Sequence, residues 1–133
     1  KTKPSIDVDA KIAVEKAAVS AATTFYMKQS YNVISVEDEN KGWDLEATKG
    51  KAFLRIEVKG LTGSQISVHI SKNEYSKMKS SDNADYRLCV VTNALKYPEI
   101  WTFSYDSGIW VCEEDNDIEL SFEEQIAAIA YVE

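Results

Sequence analysis

Hydrophobic positions change from a helical spacing to an alternating one near residue 30. Between residues 9 and 29, apolar side chains recur three to four positions apart, at Val14, Ala18, Ala21, Ala22 and Phe25. This spacing predicts one helix, and its many alanines favour close packing against a sheet. Residues 31–36 then alternate between apolar and polar side chains, which predicts a strand.

Two more strands are predicted around a tight turn, over residues 42–48 and 52–59. Lys49-Gly50-Lys51 separates them, and Gly50 can adopt the positive φ that the favoured two-residue turns require. Apolar and charged side chains alternate along residues 52–59, so one face of this strand is apolar and the other is charged. The two strands form a predicted hairpin.

A short strand and a short helix are predicted next. Residues 65–70 alternate, and Ser71 followed by Glu74 is a capping box that opens a helix ending at about Lys79. Residues 86–92 are the most apolar segment of the chain, which predicts a strand at the centre of the sheet.

The C-terminal third predicts a hairpin and a helix. Alternation over residues 99–105 and 109–112 surrounds Asp106-Ser107-Gly108, a typical turn sequence. Ser121 and Glu124 have the spacing of a second capping box, and we expect a helix over residues 126–130.

Two carboxylates and a lysine stand out on the predicted hairpin of residues 42–59. A turn centred on Lys49-Gly50 places Asp44 opposite Arg55 and diagonal to Glu57, whereas a turn centred on Gly50-Lys51 places Asp44 opposite Glu57. Either turn puts Asp44, Glu57 and Lys59 on one face, ~5–8 Å apart. A three-residue loop without a bulge would separate them.

This grouping has a functional and a structural interpretation. Two oxygen ligands for a hard cation, with an ammonium beside them, are what a divalent-metal phosphodiesterase needs. The alternative is a solvent-facing strand surface on which Arg55 and Lys59 are counter-charges to the acids.

Composition indicates one folded domain over residues 1–133, with 44% hydrophobic and 11% aromatic residues. No apolar run approaches the ~20 residues that span a bilayer, and the start does not resemble a signal peptide. Because the chain begins Lys1-Thr2-Lys3-Pro4, we expect it to be part of a longer polypeptide. Cys89 and Cys112 lie in apolar surroundings without metal-ligand spacing, which favours reduced core thiols in a cytoplasmic protein.

Charge is distributed unevenly along the chain. The net charge is −7, but all fifteen Lys and Arg lie within residues 1–96 beside twelve acids, so that part carries +3. Residues 97–133 carry ten acids and neither Lys nor Arg. A phosphate backbone would therefore be repelled by the C-terminal part and tolerated by the N-terminal part, unless the acids only form a solvated face.

Several other residues have mainly structural interpretations. His69 is the single histidine and alternates with apolar residues, so a zinc site or a catalytic triad is not indicated. Glu74 is interpreted first as the third residue of a capping box, with a role at the edge of the site as the alternative. The three tryptophans are predicted to pack in the core or on the sheet, and Trp43 borders the site.

Four motifs resemble the domain family named for the C-terminus of the plant protein NO VEIN. They are Gly42-Trp43-Asp44-Leu45, Arg55-Ile56-Glu57-Val58-Lys59-Gly60, Ser71-Lys72-Asn73-Glu74-Tyr75 and Tyr86-Arg87-Leu88-Cys89-Val90-Val91. The family is similar to the PD-(D/E)XK nuclease-like superfamily, and Val14-Glu15-Lys16-Ala17-Ala18 matches a helix on which that superfamily often carries an acid. Trp43 departs from the expected tyrosine, and the acidic C-terminal part departs further.

The resemblance implies a fold and a site. The fold is α/β (α+β) with a restriction-endonuclease-like core, in which helices flank a mixed, mostly antiparallel sheet. Asp44 and Glu57 would bind Mg²⁺ or Mn²⁺ together with the carbonyl of Val58. Lys59 would position or deprotonate water, and Glu15 would assist from the first helix.

The implied function is metal-dependent hydrolysis of nucleic-acid phosphodiester bonds. Nucleic acid, with DNA favoured, and other domains of a parent protein would be the partners. Such domains serve as effector modules in restriction or defence-type proteins. The alternative is an inactive nuclease-like module that binds nucleic acid or protein, which would account for the acidic C-terminal part.

Overall fold

The computed structural model describes residues 4–133, with side chains from residue 8 onward. Residues 1–3 lie outside the described part. The described chain forms two α-helices and six strands: α1 (Pro4–Met27), β1 (Asn32–Ser35), β2 (Leu45–Lys49), β3 (Ala52–Gly60), α2 (Lys72–Met78), β4 (Tyr86–Thr92), β5 (Glu99–Asp106) and β6 (Ile109–Cys112). Single turns of 3₁₀ helix at Glu37–Glu39 and Asn83–Asp85 precede β2 and β4.

The strands form one mixed sheet in the order β1-β2-β3-β4-β5-β6. Each neighbouring pair is antiparallel except β3 and β4, which are parallel. Antiparallel neighbours need only a short turn, but parallel ones need a crossover, and the segment that contains α2 supplies it. The mixed, mostly antiparallel sheet with helices that the family resemblance implies is confirmed.

The register of β2 and β3 identifies the two residues of the turn between them. Lys49 pairs with Ala52 and Leu45 pairs with Ile56, so the two-residue turn is Gly50-Lys51. Gly50 has φ +59°, as the first turn residue of such hairpins requires. Of the two turns considered from the sequence, the structure has the one that aligns Asp44 with Glu57.

Helix α1 covers one face of the sheet. Its small and aromatic residues pack on inward residues of β2, β3 and β4 in a helix-side cluster: Val14, Ala18, Ala22, Tyr26, Leu45, Ala47, Ile56, Val58, Cys89, Val91 and Ala94. The alanines let the helix backbone lie close to the strands. As predicted, β4 is central, and six of its seven residues are buried, all except Arg87.

The opposite face has an aromatic-rich core. Its buried members are Met78, Tyr86, Leu88, Val90, Phe103, Trp110 and Cys112. Trp43 and Trp101 are half-buried against this cluster, so the packing role predicted for the tryptophans is confirmed. Both cysteines are buried and unbonded to each other.

The strand predicted over residues 65–70 is wrong. This segment is irregular, and it pairs with no strand among the described residues. Ile66, Val68 and Ile70 nevertheless pack against the aromatic-rich core while the residues between them are exposed. The alternation therefore reflects one-sided packing of an extended loop without ladder hydrogen bonds.

The helix predicted over residues 126–130 is also wrong. Residues 121–133 are irregular and exposed, with Ile126 and Ile129 at 97% and 88% exposure. A short helix gains most of its stability from burying an apolar face, and residues 126–130 are all exposed. Glu124 accepts a hydrogen bond from the Tyr75 hydroxyl instead of closing a capping box.

Two boundaries also differ from the prediction. Helix α1 begins at Pro4 rather than near residue 9, which agrees with the preference of proline for the first helical turn. Strand β2 begins at Leu45 rather than Gly42, and residues 41–44 form a bend. No helix within residues 4–133 is both long enough and apolar enough to cross a membrane.

Candidate acid–lysine site

Asp44 lies in the bend immediately before β2. Its main chain still bridges two strands, since its carbonyl accepts from Val36 N–H and its N–H donates to the Ile56 carbonyl, both at 2.8 Å. Its Oδ2 accepts a hydrogen bond of 2.9 Å from Val58 N–H. The β2–β3 ladder ends at the pair of Leu45 and Ile56. Beyond that pair, the Asp44 carboxylate accepts the hydrogen bond from Val58 N–H, and this fixes the carboxylate beside β3.

The segment before Asp44 is held from the other side of the sheet. The buried Tyr86 hydroxyl donates to the Gly42 carbonyl at 2.7 Å. Gly42 has φ +97°, and a Cβ there would lie 2.9 Å from Cγ of Lys77 and 3.3 Å from Nδ2 of Asn73. Glycine is needed at this position for both its conformation and the close approach of α2.

Glu57 is buried on β3, with 4% of the residue exposed. Burial raises the pKa of its carboxyl from 4.5 to about 9, and the neighbouring Asp44 and Glu74 carboxylates add to the rise while Lys59 opposes it. Burial also raises the pKa of Asp44, although the hydrogen bond from Val58 acts in the opposite direction. The nearby carboxylates add to these rises, Asp44 and Glu74 for Glu57, and Glu37 and Glu74 for Asp44, as closely spaced acids do.

Lys59 is the cation beside these acids. Its Nζ lies 2.8 Å from Oε1 of Glu74 and 3.4 Å from Oε2 of Glu57. Burial alone would lower the pKa of Lys59, but the contacts with Glu74 and Glu57 outweigh it and the pKa is raised. For Glu74, burial alone would raise the pKa, but hydrogen bonds from Lys59 and the Ser71 main chain leave it lowered.

Glu15 reaches the site from α1. The helix passes so close to the end of β3 that a Cβ on Gly60 would lie 2.7 Å from the Ala18 Cβ and 3.0 Å from the Val14 carbonyl oxygen. This contact places the exposed Glu15, one residue after the buried Val14, at the mouth of the same cavity.

A cavity of about 480 Å³ brings these groups together. Its charged and polar lining residues are Lys11, Glu15, Glu37, Asp44, Glu57, Lys59, His69 and Glu74, and the apolar remainder includes Val58 and Gly60. The acids outnumber the cations, so the cavity has an excess of negative charge that a bound cation would offset.

Every site residue proposed from the sequence lines this cavity: Glu15, Asp44, Glu57, Val58 and Lys59. Four further charged or polar members, Lys11, Glu37, His69 and Glu74, were given no site role or only a secondary one. His69, interpreted as structural, is exposed on the irregular 65–70 segment and faces the cavity. Glu74 does close the predicted capping box, yet it also binds Lys59. Glu37 was not singled out, and its neighbourhood carries no motif.

The donors suit a hard cation in type but do not form a preassembled cage. No group of three or more His, Cys, Asp or Glu side chains among the described residues is arranged to hold a metal ion. The carbonyl of Val58 points to the same side of β3 as its N–H, towards Asp44. Two carboxylates and a carbonyl match the ligands of Mg²⁺, which keeps several waters and needs few protein ligands.

Fold and site together define a mixed α/β protein with a buried acid–lysine cluster where the central strand β3 ends. The family model described as "Protein NO VEIN, C-terminal" matches residues 14–103, more than half of the chain. The chain therefore belongs to this family. No significant match was found among curated proteins or among solved structures. The matched region includes every cavity residue named above except Lys11 and ends within β5.

Proposed function

We propose that this chain is a metal-dependent nuclease domain with a restriction-endonuclease-like core of the PD-(D/E)XK type. One observation carries the proposal: Asp44, Glu57 and Lys59 line a single cavity, although Asp44 comes from a different element than the other two. A solvent-facing strand surface would leave such charges exposed, whereas Glu57 is buried and its pKa is raised to about 9.

The topology around the site supports the proposed core. A long helix precedes three antiparallel strands, and a crossover then leads to a parallel strand beside the third. Strand β3 therefore lies in the middle of the sheet, where both neighbours fix its backbone. The end of β3 pairs with β4 on one side, and on the other side the Val58–Asp44 hydrogen bond holds it, which gives the rigidity that catalytic positioning requires.

Asp44, Glu57 and the Val58 carbonyl are the residues that would hold Mg²⁺ or Mn²⁺. When bound, such a cation would stabilise charge on the phosphoryl group and make water a stronger nucleophile. The hydrogen bond from Val58 N–H fixes the orientation of Asp44 before any ligand binds. The raised pKa of Glu57 means that this carboxyl releases its proton readily only when a cation is near.

Lys59 acts as a cation in this scheme. Its contacts with Glu57 and Glu74 favour the ammonium form, so of the two roles considered, positioning the attacking water is supported over removing its proton. Glu15, at the mouth of the cavity, would accept a hydrogen bond from that water or from a hydrated cation.

The proposed substrate is nucleic acid, with DNA favoured. Ten acids and neither Lys nor Arg lie in residues 97–133, so the substrate would approach from the side formed by the N-terminal part of the chain. We further propose that the domain acts as an effector module of a larger restriction or defence-type protein. A cytoplasmic location stays a prediction.

Cleavage assays with matched variants test the proposal. The purified chain should nick or degrade plasmid DNA, single-stranded DNA or RNA in Mg²⁺ or Mn²⁺ and stop when EDTA is added. Lys59→Ala and Asp44→Ala should abolish cleavage, whereas Lys96→Ala, an exposed lysine outside the cavity, should retain it. Cleavage that survives in both site variants would come from a contaminant, and the proposal would fail.

A second candidate is a nuclease-like module that binds nucleic acid or protein without turnover. It is favoured by the ion pairs of Lys59 and by the lack, among the described side chains, of a three-ligand metal group. Calorimetric titration with Mn²⁺ separates the candidates. The nuclease requires a binding site that is lost in Glu57→Gln and kept in Glu123→Gln, whereas the inert module gives no such difference.

A further inference from the structure

Glu74 belongs to both a helix terminus and the cavity. Its Oε1 accepts a hydrogen bond of 2.9 Å from Ser71 N–H, and its own N–H donates to Ser71 Oγ at 3.1 Å. The same Oε1 lies 2.8 Å from Nζ of Lys59. One carboxylate oxygen therefore joins the start of α2 to the lysine at the end of β3.

The contact with Glu74 is the shorter of the two that hold the Lys59 ammonium. The distance to Glu57 is 3.4 Å, and Glu57 is the acid whose pKa is raised. A lysine side chain has many rotamers, and holding it in one of them requires fixed partners. Glu74 is such a partner, because the capping box orients its carboxylate and the buried Met78 anchors α2 in the aromatic-rich core.

The donor count of Lys59 fits a positioning arrangement. An ammonium has three N–H groups, and the ion-pair contacts with Glu57 and Glu74 engage at most two of them if each carboxyl takes one. The third can address a water or a phosphate oxygen in the cavity. If Glu74 were removed, the ammonium would turn towards Glu57 and away from that point.

We propose that Glu74 is a positioning residue that holds the Lys59 ammonium towards the ligand space of the cavity. The effect of Glu74 on catalysis rests on the nuclease function proposed above, whereas its contact with Lys59 does not depend on that function. A role limited to capping α2 is the competing explanation. Ser71→Ala distinguishes the two, since it removes the Ser71 Oγ acceptor of the same capping box and leaves the Glu74 carboxylate in place.

Side-chain NMR tests the positioning directly, without any substrate. Ammonium protons held in hydrogen bonds exchange slowly with water, so Lys59 should give a resolved ¹H–¹⁵N signal at low temperature, assigned by its loss in Lys59→Ala. The signal should persist in Ser71→Ala and disappear in Glu74→Ala. A signal that persists in Glu74→Ala, or that is absent from the native chain, would overturn the proposal.

Kinetics then test the catalytic consequence. Misplacing a catalytic group lowers kcat rather than raising KM, and we expect Glu74→Ala to lower kcat by about 10–100-fold with KM within about twofold. Ser71→Ala should keep the native kcat, and equal losses in both variants would overturn positioning in favour of capping. Glu74→Gln keeps an acceptor for Ser71 N–H, so it should fold even if Glu74→Ala does not. Its kcat should lie between those of the native chain and Glu74→Ala. If the native chain cleaves nothing, the nuclease function fails while the NMR result still decides the positioning.

Discussion

Acidic side chains in this chain occupy two regions with contrasting surroundings. Asp44, Glu57 and Glu74 line a cavity together with Lys59, and Glu57 is 4% exposed. The acids of residues 115–123 lie on the surface beyond β6 and are exposed. Solvent screens the second group. In the first group, burial raises the pKa of Asp44 and Glu57, whereas hydrogen bonds from Lys59 and the Ser71 main chain lower the pKa of Glu74. Acidic residues thus carry exposed surface charge in one region. In the other they line a cavity, where a bound cation would reduce the repulsion between them.

Disrupting the contact between α1 and Gly60 should have the largest effect on the free energy of unfolding. Gly60→Ala would force the new Cβ against Ala18 Cβ and the Val14 carbonyl, so we expect a loss of about 1–3 kcal/mol in the free energy of unfolding. Gly63→Ala is the matched control, because nothing lies within 4 Å of a Cβ at that position. Urea denaturation measures both variants, and equal stabilities would mean that α1 does not pack against Gly60 as described.

Divalent cations should stabilise the cavity region and leave the surface region unaffected. A ligand that binds only the folded chain at a hundredfold excess over its Kd adds ~2.7 kcal/mol. Thermal melts at pH 7.5 should therefore rise with millimolar Mg²⁺ or Mn²⁺ and barely move in Asp44→Asn/Glu57→Gln. The double variant Asp117→Asn/Glu123→Gln, with both changes on the exposed C-terminal region, should respond as the native chain does. If the melting temperature of the surface variant no longer rises with the cation, the cation binds in the exposed C-terminal region and not in the cavity.

The free energy of unfolding should depend on pH because Glu57 binds a proton more tightly in the folded chain than in the unfolded one. Because burial raises its folded pKa from 4.5 to about 9, the folded chain holds a proton that the unfolded chain releases between those values. Stability therefore falls as pH rises through this window, by at most ~1.4 kcal/mol per pH unit. Metal-free melts from pH 6 to pH 8 should show the decline, and Glu57→Gln should flatten it and melt higher than the native chain at pH 8. A lower melting temperature in that variant would instead assign Glu57 a stabilising structural contact.

Changes in the exposed C-terminal segment should have the smallest effect. Ile126 and Ile129 are almost fully exposed, and surface substitutions without partners alter stability by less than about 0.5 kcal/mol. We expect Ile126→Ser/Ile129→Ser to leave the urea midpoint unchanged in the isolated chain. A loss above 1 kcal/mol, as a rough threshold for core residues, would mean that this segment packs as the predicted helix.

The alternating patterns show where sequence reasoning succeeds and where it stops. Along β3 the alternation corresponds to a strand whose two faces meet different surroundings, and the prediction is confirmed. Along residues 65–70 the same alternation belongs to an irregular segment packed on one side. Periodicity reports which side chains are buried, but a strand also needs a hydrogen-bonding neighbour, and that neighbour is defined only by the tertiary fold.

Sequence by itself determined the order of the two helices and six strands that form, although it also predicted a strand and a helix that do not. It determined the central position of β4 and the grouping of Asp44, Glu57 and Lys59, because local alternation and a two-residue turn set them. Only the tertiary structure decided that Glu74 and His69 share the cavity, since they come from segments that no local pattern relates to β3. It also decided that residues 121–133 stay irregular despite a capping-box sequence. Short-range rules fix the backbone path over a few residues, whereas burial and charge pairing depend on which distant segments the fold brings together.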